Sequence, residues 1–526
     1  MGLTLSLASR SLPHDSAHMQ RIKLLITFIF CSVPALECIS QVHYFEDGRP
    51  WKNRANGGPD REVDGWYYNL GVTGMRAELS ASRPKHLLIR HVFAGSPADK
   101  QIQAGDYIVG VSGKAFETEH QNGYGEAVFG AKGPILDFAN ALESAQSISG
   151  KGQLTIDIDR HGQRQQVVLN IGQEDGAFGE TFPTADAKSA QILEGLYSYL
   201  KRTQRKNGSW GSPPHDTFAP LALLASGRAE HLELVRKNVK YHAATTKSKD
   251  QSWLINWRYM AAAIVMSEYY LATDEKWVLK ELQEVHDFLV SSQYVDQSQI
   301  DAKTKKERPQ DLPRTKMSAH GGWGHNPGFE GYGPISMLTG QGALAFALMK
   351  HCGVNVDRER HLFAYDFLAR AAGRNGYVWY ADEAAGQNNW ADMGRTGAAG
   401  IANALSPYPD QVHHRRALSH AKIIGSHPES FPDTHGSPVM GMGYAALAAF
   451  HDPASFQRLM DKNRWWFTLS QCADGSFYYQ PNRDNAGYGA DSRISASAVT
   501  AFILSIPQQS LFMTNRQSHS HKSQLK

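Results

Sequence analysis

Cysteine is scarce: there are 4 in 526 residues, and only Cys352 and Cys472 lie beyond the first forty. A disulfide framework is excluded, and one pair or two buried thiols are the readings left open. Charge of one sign is also lacking. Lys and Arg number 54 against 51 Asp and Glu, for a net charge of +3, with the basic residues dispersed. Nothing here tracks a polyanion, so nucleic acid is not an expected partner. Gly-x-Ser-x-Gly and His-Glu-x-x-His do not occur, which removes the common serine-hydrolase and zinc-protease chemistries. Leu24 to Val33 is the apolar run at the N-terminus, and it is too short to span a bilayer.

What that run does suit is the core of a signal peptide, with Arg21 and Lys23 before it and Cys38-Ile39-Ser40 as a small-residue cleavage site. Residues 1–40 are therefore expected to direct export to the periplasm or outside the cell. The only membrane contact implied is through that signal. Met19 is an alternative start, since residues 1–18 are polar, and Glu37 makes Leu36-Glu37-Cys38 a poor lipid-attachment site.

Residues 41–63 read as a linker, and the next segment carries the most specific signal in the chain. Val92 to Gly113 joins two strand-like runs through the Gly95-Ser96-Pro97 turn, a helical step from Ala98 to Gln101 N-capped by Ser96, and a reversal at Gly105-Asp106 into Tyr107–Val111. The segment resembles the corresponding stretch of bacterial PDZ domains, and residues 64–172 are assigned to such a domain. The resemblance implies a peptide-binding groove. Its carboxylate-binding loop would be Leu70, Gly71, Val72, Thr73, Gly74 and Met75, and its helix Ile135 to Ser147, with Leu136 and Ala139 facing the peptide. Strands at Gln153 to Arg160 and Arg164 to Ile171 would close the module.

After a Gly-, Glu- and Asp-rich linker, 173–185, the pattern becomes helical and repetitive. Tyr199-Leu200, Gln204, Gly208 and Trp210 recur in spacing as Trp466-Phe467, Gln471, Gly475 and Phe477. Phe367-Leu368, Ala372, Gly376 and Val378 keep the spacing without the Gln. Phe288-Leu289 and Gln293 open a further copy that resumes at Gly321-Gly322-Trp323 after an insertion. Such repeats signal stacked helical hairpins, and the alanine-rich helix after each copy suits close inner packing. The motif resembles the Gln-Trp repeat of squalene and oxidosqualene cyclases, and related rings occur in protein prenyltransferases and carbohydrate-active enzymes. The expected fold is thus multidomain: a β-rich PDZ domain, then an all-α (α/α) toroid over 186–508, then a disordered tail over 509–526. That order resembles a family of exported bacterial proteins of unknown function.

Cyclase chemistry does not carry over with the fold. The Asp-x-Asp-Asp acid, the aspartate-rich magnesium site and the Asp, Cys and His zinc set of prenyltransferases are all missing, and Cys472 has no Asp just before it. Neither a metal site nor a cofactor is assigned. The remaining candidates lie at the starts of the inner helices. His320 and His325 flank a glycine-rich turn and would serve as metal ligands or as acid and base, or simply bond local backbone. Asp392 and Arg395 would hold a sugar or anion, with helix capping the alternative for Asp392. His435, beside Ser437, would face the same end. Asp484, Tyr488 and Asp491 would complete a polar rim, Trp253, Trp257, Trp390 and Tyr488 would stack on sugar rings, and His413-His414 reads as solvated helix surface. Three function classes follow: a PDZ-directed binding protein whose toroid holds a glycan or lipid, a glycan hydrolase or lyase, and, disfavoured by the missing motifs, terpenoid or prenyl chemistry. The sequence leaves enzyme and binding protein both open.

Overall fold

The computed structural model describes residues 45–46, 49–50, 67–79, 82–120, 131–173, 176–247, 254–382, 388–390, 392–432, 438–479 and 492–516. The expected signal peptide, Trp253, His435, Ser437, Asp484, Tyr488 and Asp491 lie outside the described residues.

Two strands, β1 (Phe45–Glu46) and β2 (Arg49–Pro50), pair with each other. The N-terminal sheet is antiparallel throughout. It comprises β3 (Tyr67–Asn69), β4 (Met75–Leu79), β5 (Leu87–Val92), β6 (Tyr107–Val111), β7 (Lys114–Ala115), β8 (Gln153–Arg160) and β9 (Gln163–Asn170), in the order β3-β4-β5-β6-β8-β9 with β7 beside β6. In β8, Leu154, Ile156 and Ile158 are buried and alternate with polar residues, the period-two pattern of a sheet with one face covered. The cover includes α1 (Pro134–Gln146), which buries Ile135, Phe138, Ala139 and Leu142 at helical spacing. The expected step at Ala98 to Gln101 is a single hydrogen-bonded turn, and Asp99, not Ser96, supplies its side-chain bond by accepting from Gly95 N.

The rest is helical: α2 (Ala187–Thr203), α3 (Pro213–Ala225), α4 (Ala229–Thr245), α5 (Ile255–Thr273), α6 (Trp277–Ser292), α7 (Ala302–Glu307), α8 (Ser336–His351), α9 (Arg358–Ala371), α10 (Gly394–Ala404), α11 (Gln411–Ser426), α12 (Pro438–Ala449), α13 (Pro453–Lys462), α14 (Arg464–Ser470) and α15 (Ser492–Ser505). Sequence sorts them into two layers. In α8 every residue from Ser336 to Met349 is buried, as befits a helix enclosed on all sides. In α2 the buried set Ile192, Leu193, Leu196, Tyr197 and Leu200 forms one stripe. Helices α3, α5, α8, α10, α12 and α15 pack each against the next, and α15 returns to α3, closing a ring. Helices α2, α4, α6, α9, α11 and the α13–α14 pair lie outside it. Small residues set the inner spacing: a Cβ at Gly397 of α10 would stand 2.4 Å from Ala445 N of α12.

The repeat fixes each hairpin to its neighbour. Gly208, Gly321, Gly376 and Gly475 all adopt positive φ, and each meets the next outer helix. A Cβ there would strike Lys237 of α4, Phe363 of α9 and Ser419 of α11; for Gly475 the neighbour is Gly195 of α2, so the last turn meets the first helix. The glutamines act through carbonyls. Gln204 Nε2 donates to Gly208 O (2.9 Å) and to Leu234 O of α4 (2.8 Å), and Gln293 Nε2 to Gly321 O (2.7 Å) and Arg360 O of α9 (2.9 Å). Where Ala372 replaces Gln, His420 of α11 supplies the bond from the other side, Nδ1 to Gly376 O at 2.7 Å. The backbone N–H of the residue two beyond each glycine ends on an inner helix: Trp210 on Asp216, Trp323 on Thr339, Val378 on Thr396, Phe477 on Ser497.

Residues 509–516, assigned to the tail by sequence, are packed: Leu511 and Met513 are buried, and Glu268 of α5 accepts the N–H groups of Phe512 and Met513. The segment read as a linker is packed too, with Phe182 buried against Phe178 and Phe467 of α14. Cys352 and Cys472 are both buried thiols, and no disulfide joins them. Among the described residues no helix is long and apolar enough to cross a membrane.

Candidate functional site

Repeat turns lead into α3, α8, α10 and α15, and α5, α8 and α10 are successive members of the ring. Their approach loops are bonded to one another. Asn256 N donates to His325 O, and Ser336 N to Tyr380 O. On this frame lies a continuous file of side chains. The Trp257 indole Nε1–H donates to His325 Nδ1 (2.8 Å), His325 Nε2 bonds Tyr332 Oη, and Tyr380 Oη donates to Tyr332 Oη (3.1 Å). The Arg395 guanidinium lies 5.5 Å from the Tyr380 ring centroid. Behind the file it bonds Asp392 Oδ2 (2.5 Å) and Tyr377 Oη (2.7 Å).

Burial shapes the protonation of this group. It holds His325 below the usual histidine range, with Glu330 pulling weakly the other way, so the imidazole is neutral near pH 7. Burial also raises the Tyr380 phenol, helped by its bond to Tyr332, and raises Tyr377. Burial works against the Arg395 charge, but Asp392 and the two tyrosines more than offset it. Tyr332 and Tyr380 are 42% and 38% exposed, so the middle of the file opens to solvent. Trp390, also exposed, stacks on His427 at 5.7 Å.

Of the residues singled out by sequence, the structure brings His325, Asp392, Arg395 and Trp257 into one connected group. His320 is not among them. Trp323, between the two histidines in the chain, is fully buried. His320 turns outward onto Phe363 of α9 (4.5 Å), and its carbonyl accepts from Arg370. Asp392 is not a helix cap; its backbone has φ +57° and its carboxylate is committed to Arg395. His413 is buried against Tyr365 and bonded to Asn403, not solvated, while His414 is exposed. Tyr332, Tyr380 and Tyr377 were missed. The signal available was the glycine-rich Pro327–Pro334 loop and the aromatic run Tyr377 to Tyr380, both leading into inner helices. Among the described residues no cluster of three or more His, Cys, Asp or Glu suits a metal ion.

The expected carboxylate loop lies elsewhere, packed against α1 and α14. Leu70, Gly71, Val72, Thr73, Gly74 and Met75 are all buried. A Cβ at Gly71 would meet Leu142 of α1 at 2.5 Å and Thr468 O of α14 at 2.8 Å. Asn69 Nδ2 donates to Leu469 O (2.6 Å) and Gln471 O (3.0 Å). Ala139 is buried in α1, and Leu136 is half-buried. Glu143, also on α1, accepts from Lys188 of α2, from Thr468 Oγ1 of α14 (2.8 Å) and from Phe178 N (2.9 Å). The loop is thus covered by the chain's own α14.

The ring of helices with its repeat turns coincides with a known sequence family, described as a domain of unknown function, DUF6288, which matches residues 189–515. The chain belongs to this family. No curated protein matches it. Among solved structures, one similar to it is an inactive variant of the α-1,6-mannanase GH76A of Salegentibacter sp. HEL1_6 in complex with α-1,6-mannotriose, at 11% identity and TM-score 0.45, covering 60% of this chain and 99% of that one. Another is the Lin0763 protein of Listeria innocua, at 10% identity and TM-score 0.44, covering 60% and 96%. A third is a type II terpene cyclase from Scytonema with its bound substrate, at 12% identity and TM-score 0.40, covering 61% and 98%. At these values neither activity nor substrate carries over to this member of the family.

Proposed function

We propose that the chain is a glycan-acting enzyme whose substrate lies across the file of Trp257, His325, Tyr332 and Tyr380. That file is the observation that carries the reading. A sugar ring offers an apolar C–H face and a rim of hydroxyls, and the file offers aromatic faces interleaved with neutral donors and acceptors, half open to solvent. Arg395 and Asp392 hold the Tyr380 and Tyr377 end in place from behind. The N-terminal sheet with α1 is read as a PDZ-type module, supported by its strand order, by the helix Pro134–Gln146 and by the Gly105 reversal. Its loop is proposed to engage α14 of the same chain in place of an external peptide. Export rests on Arg21, Lys23 and the Leu24 to Val33 run.

The test is incubation of the full chain with a panel of bacterial, fungal and plant polysaccharides. New reducing ends are expected for one class of glycan. Ultraviolet absorbance from a new conjugated double bond would mark elimination, and its absence hydrolysis. Trp257→Ala is expected to weaken binding of that glycan about tenfold, the worth of one lost aromatic stack. A panel without cleavage refutes the enzymatic reading, and binding alone would leave a glycan-binding site.

A further inference from the structure

Resting on that reading, we infer that Tyr332 is the residue that hands a proton to the leaving oxygen of the glycan. The inference comes from the direction of the hydrogen bonds. An indole N–H only donates, so the Trp257 contact fixes His325 Nδ1 as an acceptor. A neutral imidazole then carries its one proton on Nε2, and that N–H donates to Tyr332 Oη. Tyr380 also donates to the same oxygen. Tyr332 Oη therefore receives two hydrogen bonds within the file and spends its own proton on neither. Being 42% exposed at the mouth of the ring, it has that proton available to a ligand.

Two donors converging on one oxygen suit the anion better than the neutral phenol, because the bonds strengthen as negative charge develops. In hydrolysis the glycosidic C–O bond breaks, its electron pair goes to the leaving oxygen, and that oxygen takes the Tyr332 proton. The His325 Nε2–H and Tyr380 O–H hold the resulting phenolate. Water supplies hydroxyl to the sugar carbon, and its remaining proton returns to Tyr332. Glu330, Asp392 and Arg395 are the charged groups acting on His325 and Tyr380. His325, Tyr380 and Trp257 are positioning residues here, and Tyr332 is the catalytic one.

The experiment compares full-chain wild type, Tyr332→Phe and Tyr380→Phe on the glycan and on an aryl glycoside whose leaving group needs no proton. Tyr332→Phe is expected to lower kcat on the glycan by about 10²- to 10⁴-fold with KM little changed, and to recover most of that loss on the aryl glycoside. Tyr380→Phe is expected to cost about tenfold. Nitrogen NMR of the histidine rings, with His325 assigned through His325→Gln, is expected to show a neutral Nε2–H tautomer near pH 7. Unchanged kcat in Tyr332→Phe overturns the role of Tyr332 and leaves the glycan reading intact. Glycan bound but never cleaved by wild type overturns it too, leaving a binding site. A proton on Nδ1 overturns it whatever the assays give, and a wild type that binds no glycan removes both readings together.

Discussion

Arg395 is the side chain on which the candidate site turns, because its three bonds run to three different parts of the approach to α10: Asp392 Oδ2, Tyr377 Oη and Val378 O. Arg395→Met keeps the bulk but strands a buried carboxylate, and removing one partner of such a pair costs about 3 kcal/mol or more. Urea unfolding of the variant is expected to show that loss. A loss below about 1 kcal/mol would mean that Asp392 finds water instead. Asp392 and Arg395 stand three apart in the sequence, at the approach to α10, so this part of the site was legible. Tyr332 and Tyr380 were not, because loop aromatics look the same whether they fill a core or face a ligand. The two histidines misled for a physical reason. Sequence counts them five apart, but Trp323 between them in the chain is fully buried, and His320 packs on Phe363 of α9 while His325 bonds Trp257.

The repeat turn is the element that makes separate hairpins into a ring. Its glycine and glutamine were readable because each position has one geometric demand: positive φ against a neighbouring helix, and an amide long enough to reach two carbonyls. The copy without glutamine was readable only as a gap, since its replacement, His420, comes from α11, 44 residues beyond Gly376 in the chain. Gln293→Ala leaves the carbonyls of Gly321 and Arg360 without this donor, and two lost bonds in a buried turn cost about 2 kcal/mol. The midpoint of chemical unfolding is expected to fall accordingly, with the slope unchanged. Gly397→Val should do worse, since its side chain has no space beside Ala445 and Tyr444; a stable, well-folded variant would show that α10 and α12 can move apart.

Across the whole molecule, buried histidines tie stability to pH. Burial lowers His361 to about 3 and His420 to about 4. The unfolded residues titrate near 6.5, so below that value the unfolded chain binds more protons than the folded one. Stability is expected to be full above about pH 6.5 and to fall by about 1.4 kcal/mol per pH unit per histidine as pH drops towards the folded values. In His420→Gln, which keeps an amide donor for Gly376 O, unfolding free energies measured from pH 7 to pH 5 should show a shallower slope. An unaltered slope would place the linkage in other groups.

A ring made from a linear polymer has one joint that the backbone does not cross. Here that joint is where Gly475, just after the last outer helix, rests on Gly195 of the first, and Glu143 of the N-terminal sheet's helix grips Lys188 on one side and Thr468 on the other. The N-terminal sheet with its helix thus bridges both sides of the joint, as a clasp does.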